Sequence, residues 1–207
     1  TVAYPLVLPP FTPAEKLADV FNEYSGWLQI LGVRTMENLH GQVIEERAAE
    51  LVLVSEALHS QKFNRMSERI STSRKVRLVR ISGPSGSGKT TTAMRLAIHL
   101  RAMGARPIVV SLDDYFLERD KTPRDSRGEH DFETIDAMDL DLINGNLEDL
   151  LDGREVTLPR FNFLTGRREE GPKVTMRSDE VLIIEGIHGL NSRISSSIPA
   201  ELKFSVY

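Results

Sequence analysis

The octet from Gly83 to Thr90 constrains the fold of this chain more than any other stretch. It reads Gly-Pro-Ser-Gly-Ser-Gly-Lys-Thr and fits G-x-x-x-x-G-K-[ST], the pattern of the phosphate-binding loop that joins a strand to a helix. Glycines let the backbone approach a polyphosphate closely, and successive N–H groups form an anion site at the positive end of the following helix. Lys89 can reach the β- and γ-phosphates, and the Thr90 hydroxyl can ligate Mg²⁺. The predicted nucleotide-binding residues are Gly83, Pro84, Ser85, Gly86, Ser87, Gly88, Lys89, Thr90 and Thr91.

The flanks of this loop are those that the motif requires. Apolar residues from Val76 to Ile81 are typical of a buried strand. After the loop, apolar residues recur at i, i+3, i+4 and i+7 from Ala93 to Leu100, which predicts an amphipathic helix that ends at Gly104. A plain glycine-rich turn is the alternative, and the flanks favour a working nucleotide site.

Composition restricts the class of protein further. The 207 residues suffice for one domain or a domain with an appendage, and 40% hydrophobic and 27% charged residues are ordinary globular values. A net charge of −4 gives no indication of a nucleic-acid or membrane partner. The absence of cysteine excludes disulfides and thiolate metal sites. Since the chain has neither a long apolar run nor a signal-peptide pattern, we expect a cytoplasmic protein.

The first seventy or so residues predict a small helical unit. A capping box at Thr12 to Glu15 starts a helix that Gly32 ends, and Thr35 can cap a second helix. The first helix carries an apolar stripe of Leu17, Val20, Phe21, Tyr24 and Leu28. A third helix, from about Arg47 to Ile70, has an inward side of Leu51, Val54, Leu58, Phe63, Met66 and Ile70. We therefore divide the chain into an N-terminal helical region, residues 1–72, and a phosphate-loop domain, residues 73–207.

Beyond the loop, strands and helices alternate as in an α/β protein. The turn-rich stretch from Lys121 to Phe132 is expected to be a mobile loop, and Val156 to Phe161, which contains Pro159, an edge strand or hairpin arm. The other predicted elements are a strand at Pro107–Leu112, a helix at Leu140–Leu150, and strands at Val181–Gly186 and Leu202–Tyr207. The expected architecture is the P-loop NTPase fold, a parallel sheet flanked by helices, with the helical unit before it.

Three of the predicted strands end with Gly83, Asp113 and Glu185. Parallel strands place these ends at one edge of the sheet, where ligands of such sheets bind. Phosphoryl transfer needs a phosphate cradle, oxygen ligands for Mg²⁺ and a carboxylate that accepts or orients a hydroxyl. A strand-end turn is the alternative for Asp113 and Asp114, since aspartate favours turns. Glu185 is interpreted as a metal-site residue.

The order of these pieces resembles the uridine kinase and phosphoribulokinase family, over roughly Val76 to Tyr207. The stretches that carry the resemblance are Gly83–Thr91, Ser111–Phe116, Asp131–Glu133 with Asp136–Asp139, Leu158–Phe163 with Arg168, and Val181–Asn191. The resemblance implies an ATP- and Mg²⁺-dependent kinase. By this resemblance the catalytic residues would be Asp113 and Lys89, and Asp113 would be the base for the 5′-hydroxyl of a nucleoside. The residues around Mg²⁺ would be Thr90, Asp113 and Glu185. The residues expected at the acceptor are Asp114, Phe132, Glu133, Arg160, Phe161, Arg168 and His188.

The chain departs from the family pattern at several positions that concern the acceptor. Asp-Tyr-Phe follows Asp113, where uridine kinases have Ser-Phe-Tyr or Asp-Phe-Tyr, and Gly166 replaces an expected histidine. Acceptors like those of phosphoribulokinase or pantothenate kinase therefore stay open, as does a regulatory nucleotide-binding module without turnover. A GTPase is disfavoured because no Asn-Lys-x-Asp motif occurs.

The resemblance also implies elements beyond Tyr207. In the resembling kinases a basic lid, a last strand and a helix follow, so we expect them to be missing from these residues. The strand at the end is then expected to leave a free sheet edge, which favours self-association into a homo-oligomer.

Overall fold

The structure, a computed structural model, describes residues 15–207, with only the backbone of Glu15 and Lys16. Thr12 and Pro13 of the predicted capping box lie outside the described residues. The chain separates into two compact units, one that ends at Lys62 and one that starts at Phe63. A domain boundary after residue 72 stays a prediction.

The first unit contains helices α1 (Glu15–Leu31) and α2 (Met36–Ile44) and the start of α3 (Ala48–Ser73). The predicted cap of α2 is confirmed, because the Thr35 hydroxyl accepts the N–H of Asn38 at 3.2 Å and the Asn38 side chain accepts the N–H of Thr35. The apolar stripe of α1 is largely exposed, with Leu17 69% and Phe21 68% accessible. This helix therefore presents apolar side chains to solvent rather than to a core.

The second unit is built on a four-stranded parallel sheet in the order β2–β5–β1–β6. Its strands are β1 (Leu78–Ile81), β2 (Arg106–Ser111), β5 (Glu180–Glu185) and β6 (Lys203–Val206). Helices α4 (Lys89–Ala102) and α5 (Leu140–Leu151) lie where the sequence predicts them. The predicted α/β architecture is confirmed.

Both faces of the sheet are covered, which explains the continuous apolar run of β5. Alternate residues of that strand pack into two different clusters, with Ile183 on one face and Leu182 on the other. The first cluster contains Ala93, Leu96 and Leu100 of α4, and Ile70 of α3 with Phe63 and Met66 beside it. The second contains Ile143, Leu147 and Leu150 of α5 together with Val156, Leu158 and Phe161.

A two-stranded antiparallel sheet pairs β3 (Glu155–Asn162) with β4 (Arg167–Thr175). The prediction of a hairpin arm at Val156–Phe161 is confirmed, and the register shifts between Thr157 and Pro159, where proline cannot donate to the ladder. The partner strand β4 was not predicted. Most of its residues are polar and exposed, so its sequence carries little strand periodicity.

The stretch from Lys121 to Phe132 is turn-rich, as predicted. The Asp125 carboxylate accepts the backbone N–H groups of Arg127 and Glu129 at 2.8 and 2.9 Å, which closes one of these turns. The mobility of this loop stays a prediction. Within residues 15–207 no helix is long and apolar enough to cross a bilayer, and the cytoplasmic location stays a prediction.

Candidate active site

The phosphate loop connects β1 to α4 through two glycines in the left-handed region. Gly86 has φ 72° and Gly88, the residue that precedes α4, has φ 84°. Side chains are strained at such φ values, which explains the glycine that the motif requires at position 88 and the glycine that this chain has at position 86, where the motif allows any residue. Residues 84–88 are exposed, so the loop presents its backbone to solvent at the N-terminus of α4. Gly83 is buried, and a Cβ on it would lie 2.8 Å from the Ser87 hydroxyl.

The side chain of Lys89 folds back over the loop that precedes it. Its ammonium donates to the carbonyl oxygen of Pro84 at 3.0 Å. The positive charge of Lys89 therefore lies against the loop, and its contact with the phosphates stays a prediction. Thr91, also predicted to bind the nucleotide, is exposed on the first turn of α4.

Glu185 lies at the end of the central strand β5 and is only 2% accessible. Its Oε1 accepts hydrogen bonds from the Thr90 hydroxyl at 3.1 Å and from the Ser111 hydroxyl at 2.9 Å. Its Oε2 is buried and finds no hydrogen-bond partner among the described residues. A buried carboxylate oxygen without a partner is costly, so Oε2 is a candidate for binding a ligand.

Ser111 was not predicted as a site residue. It ends β2 and lies directly opposite Glu185 in the parallel register, as Ile81 does on the other side. The contact between Ser111 and Glu185 could be predicted only from the order of the strands, since the two residues are far apart in the chain. The signal in the sequence was a hydroxyl close to the end of the predicted strand Pro107–Leu112.

The donors around Glu185 fit a Mg²⁺ ion. This ion keeps several waters and takes one or two protein oxygens together with phosphate oxygens. The Thr90 hydroxyl and the unpartnered Oε2 of Glu185 match that need. No cluster of three or more histidine and carboxylate groups that could hold a metal by itself exists in the described part of the chain.

Asp113 lies just beyond β2, in electrostatic range of this cluster. Burial raises the pKa of its carboxyl above the ordinary value, and the negative charge of Glu185 raises it further. The charges of Lys89 and His188 oppose that rise. Asp113 therefore lies within electrostatic range of Glu185, Lys89 and His188. The Nε2 of His188 is buried and has no hydrogen-bond partner in the described region.

Asp114 has a different environment from its neighbour. Its Oδ1 accepts the backbone N–H of Phe161 at 3.0 Å and so ties the turn after β2 to β3. The structure thus gives this residue a contact within the protein, at the position where the sequence predicted an acceptor contact.

Four phenylalanines form an aromatic cluster next to these aspartates. Phe116 makes edge-on contacts with Phe132 at 5.5 Å and with Phe161 at 5.9 Å between ring centroids. Phe163, 57% exposed and not predicted, lies 5.0 Å from Phe161. Because Phe161 is only 5% accessible, its ring belongs mainly to the core. Phe132 and Phe163 carry the accessible part of this cluster.

The polar residues predicted for the acceptor are more dispersed. Arg168 donates to Asp139 at 2.8 Å in a partly buried ion pair, and its Nε is buried without a partner among the described groups. Glu133 is exposed. Arg160 is also exposed and lines a cavity of about 270 Å³ together with Asp114.

Comparison with known proteins decides the family. A model of the phosphoribulokinase / uridine kinase family matches residues 78–207, which contain every site residue discussed above. The chain belongs to this family. The resemblance drawn from the sequence motifs is therefore confirmed.

Individual members of the phosphoribulokinase / uridine kinase family resemble the chain over about half its length. A uridine kinase of Schizosaccharomyces pombe is 34% identical over 119 residues, which are 56% of this chain and 26% of that protein. A uridine kinase of Lactobacillus helveticus is 29% identical over 53% of this chain and 51% of its own. The chain thus spans about half or less of these relatives.

A solved structure supports the fold. A candidate fructose transport system kinase from Silicibacter sp. TM1040 superimposes with a TM-score of 0.51 at 20% identity, over 69% of this chain and 73% of its own.

Proposed function

We propose that the protein is an ATP- and Mg²⁺-dependent kinase that phosphorylates a hydroxyl group of a small metabolite, with the 5′-hydroxyl of a nucleoside as the first candidate. The observation that carries the proposal is the Glu185 carboxylate, whose Oε1 binds Thr90 and Ser111 while Oε2 is buried and unpartnered. A carboxylate in this state beside a phosphate loop suits a Mg²⁺ ion that accompanies a nucleotide.

The residues around the loop have separate tasks in this proposal. Backbone N–H groups of the loop and the N-terminus of α4 hold the phosphates, and Lys89 neutralises the transferred group. Mg²⁺, held by Thr90 and Glu185, would neutralise charge on the β- and γ-phosphates. Asp113 accepts the proton of the acceptor hydroxyl, and its raised pKa makes it a stronger base than an ordinary aspartate once it is ionised.

Support for a nucleoside acceptor comes from the relatives that are named uridine kinases. The accessible rings of Phe132 and Phe163 offer apolar surface to a base or sugar, since ligand pockets are mostly apolar with few polar groups. Roles of Glu133, Arg160, Arg168 and His188 in holding the acceptor stay predictions.

The test is a coupled assay of ADP release with ATP, Mg²⁺ and a panel of uridine, cytidine, pantothenate and sugar phosphates. We expect phosphorylated product, identified by mass spectrometry, with at least one acceptor and none without Mg²⁺. Tight ATP binding without product from any acceptor would instead identify a regulatory nucleotide-binding module.

A further inference from the structure

Glu185 has one neighbour in register on each side, and the two neighbours differ in chemistry. Ile81 lies beside it on β1 and Ser111 lies beside it on β2. Residues in register on neighbouring parallel strands project to the same face of the sheet, so both side chains flank the Glu185 carboxylate. Because the side chain of Ile81 is apolar, only the Ser111 hydroxyl can hold this carboxylate from within the sheet.

The hydroxyl of Ser111 is directed to Glu185 rather than to its own turn. It donates to Oε1 at 2.9 Å, since an ionised carboxylate can only accept. Ser111 also precedes the short 3₁₀ turn at Leu112–Tyr115, a position at which serine side chains commonly accept a backbone N–H. The Ser111 side chain makes no such capping bond within the described residues. A local hydrogen bond is therefore absent where serine usually forms one, and the hydroxyl serves the carboxylate instead.

The two oxygens of the Glu185 carboxylate have different surroundings. Oε1 accepts from both Thr90 and Ser111, whereas Oε2 is buried and has no partner in the described part of the chain. The two donors come from different elements, Thr90 from the first turn of α4 and Ser111 from the end of β2. Two donors on one oxygen restrict rotation of the carboxylate, so the other oxygen keeps a fixed direction.

The donor from β2 has the more rigid support of the two. Its strand pairs with β5 along its whole length, from Arg106 to Ser111. Thr90 lies directly after the exposed phosphate loop and is itself an expected Mg²⁺ ligand. The hydrogen bond from Ser111 is therefore the one that the sheet itself fixes.

We propose that Ser111 is a positioning residue for the Mg²⁺ site, whose hydroxyl holds Oε1 of Glu185 so that Oε2 stays free for the ion. The inference rests on the kinase function proposed above and adds to it a residue that acts only through Glu185. Groups that hydrogen-bond a metal ligand from behind orient that ligand, and their loss typically lowers metal affinity about 10–100-fold.

The test uses two variants with nearly the same shape. Ser111→Thr keeps the hydroxyl and Ser111→Val replaces it with a methyl group, and both β-branched residues suit a strand. Binding of AMP-PNP, an ATP analogue that is not hydrolysed, is measured by calorimetry with Mg²⁺ and with EDTA. The ratio of the two affinities reports on the metal site, whereas general damage to the nucleotide site lowers both affinities.

We expect Ser111→Val to lower this ratio about tenfold or more and Ser111→Thr to keep most of it. The affinity in EDTA should be the same in both variants, because the phosphate loop is unchanged. Mn²⁺ titrated in place of Mg²⁺ in the presence of AMP-PNP, and followed by electron paramagnetic resonance, gives a second readout. It should bind about tenfold or more weakly to Ser111→Val than to Ser111→Thr.

Ser82→Ala is the matched control. Ser82 follows β1 at the same edge of the sheet and is 8% accessible, but its hydroxyl donates to the carbonyl of Ile187 at 2.8 Å. This variant also loses one buried hydroxyl, so its ratio of affinities should equal that of the parent chain. If thermal unfolding shows that Ser111→Val does not fold, Ser111→Ala replaces it.

The outcomes separate the two proposals. An unchanged ratio in Ser111→Val, or an equal decrease in Ser111→Thr or Ser82→Ala, would overturn the role of Ser111 and leave the kinase activity standing. A decrease in Ser111→Val alone, while the parent chain phosphorylates no acceptor, would support the role of Ser111 and contradict the kinase. Binding of AMP-PNP to the parent chain that does not depend on Mg²⁺ would contradict both.

Discussion

The adjacent residues Asp113 and Asp114 have opposite environments, and this predicts opposite effects of substitution. Asp114 accepts the N–H of Phe161, whereas the Asp113 carboxylate is partly buried beside the charge of Glu185. We expect Asp113→Asn to lower the rate of phosphoryl transfer without lowering the free energy of unfolding. We expect Asp114→Ala to lower the free energy of unfolding.

The magnitudes follow from these contacts. Loss of a general base typically lowers a rate by about 10²–10⁴-fold, which raises the barrier by about 2.7–5.4 kcal/mol. Asp113→Asn removes a negative charge near Glu185, so the folded state gains or keeps stability. Asp114→Ala leaves the N–H of Phe161 without its acceptor, which costs about 1–3 kcal/mol.

Single-turnover rates and urea unfolding at neutral pH measure both effects on the same samples. Asp114→Asn is the control, because its side-chain oxygen can still accept the N–H of Phe161 and most of the stability should return. A rate decrease of less than about tenfold in Asp113→Asn would show that another group accepts the proton. A loss of stability in Asp113→Asn as large as that in Asp114→Ala would refute the difference in environment.

The raised pKa of Asp113 also predicts two pH dependences. The rate should fall with decreasing pH while still above the ordinary aspartate pKa of about 3.9, since only the ionised form is a base. Because the pKa of Asp113 is raised in the folded state, its protonated form stabilises the fold relative to its ionised form. This contribution to the free energy of unfolding is fully present below the unfolded pKa and is lost as the pH rises through the folded pKa. The stability gain of Asp113→Asn over the parent chain should therefore be largest at neutral pH and vanish at low pH, as urea unfolding at several pH values can show.

Three further substitutions test the loop, the metal site and the packing behind them. Lys89→Ala should weaken ATP binding and abolish phosphoryl transfer, and unchanged calorimetric affinity with normal product would contradict its placement at the phosphates. Glu185→Gln keeps an oxygen for its two hydroxyl partners but loses the anionic ligand, so ATP titrations with and without Mg²⁺ should become equal. Gly189→Ala should lower the free energy of unfolding by about 1–3 kcal/mol, because its Cβ would collide with the carbonyl oxygen of Ile81, whereas Gly145→Ala, on an open face of α5, should not destabilise.

Elements with strong apolar periodicity could be predicted from the sequence. β5 was visible as a continuous apolar run, and α5 as an apolar stripe from Leu140 to Leu150. β4 could not be found this way, because Arg167–Thr175 becomes a strand through its pairing with β3 rather than through its own composition. The stripe of α1 shows a related limit, since periodicity identifies an apolar face but not what covers it.

The residues of the candidate site likewise fall into two groups, those that a local motif identifies and those that only the fold brings together. The phosphate loop is a local motif, so its residues and the start of α4 could be predicted from eight consecutive letters. Ser111 depends on strand order, and Asp113 and Asp114 are chemically identical until the turn after β2 orients them differently.

The strand order has a consequence for how the protein is made. β1 and β2 follow each other in the chain but are not neighbours, because β5, which begins only at Glu180, lies between them. During synthesis on a ribosome, β1 and β2 therefore emerge with unpaired edges. They cannot be joined in one sheet until β5 has been synthesised. Pairing at such sequence separation is slow, and exposed edges invite aggregation meanwhile. Glu185 is the last residue of the strand that fills this gap, so the carboxylate of the candidate metal site is synthesised with the strand that joins β1 to β2.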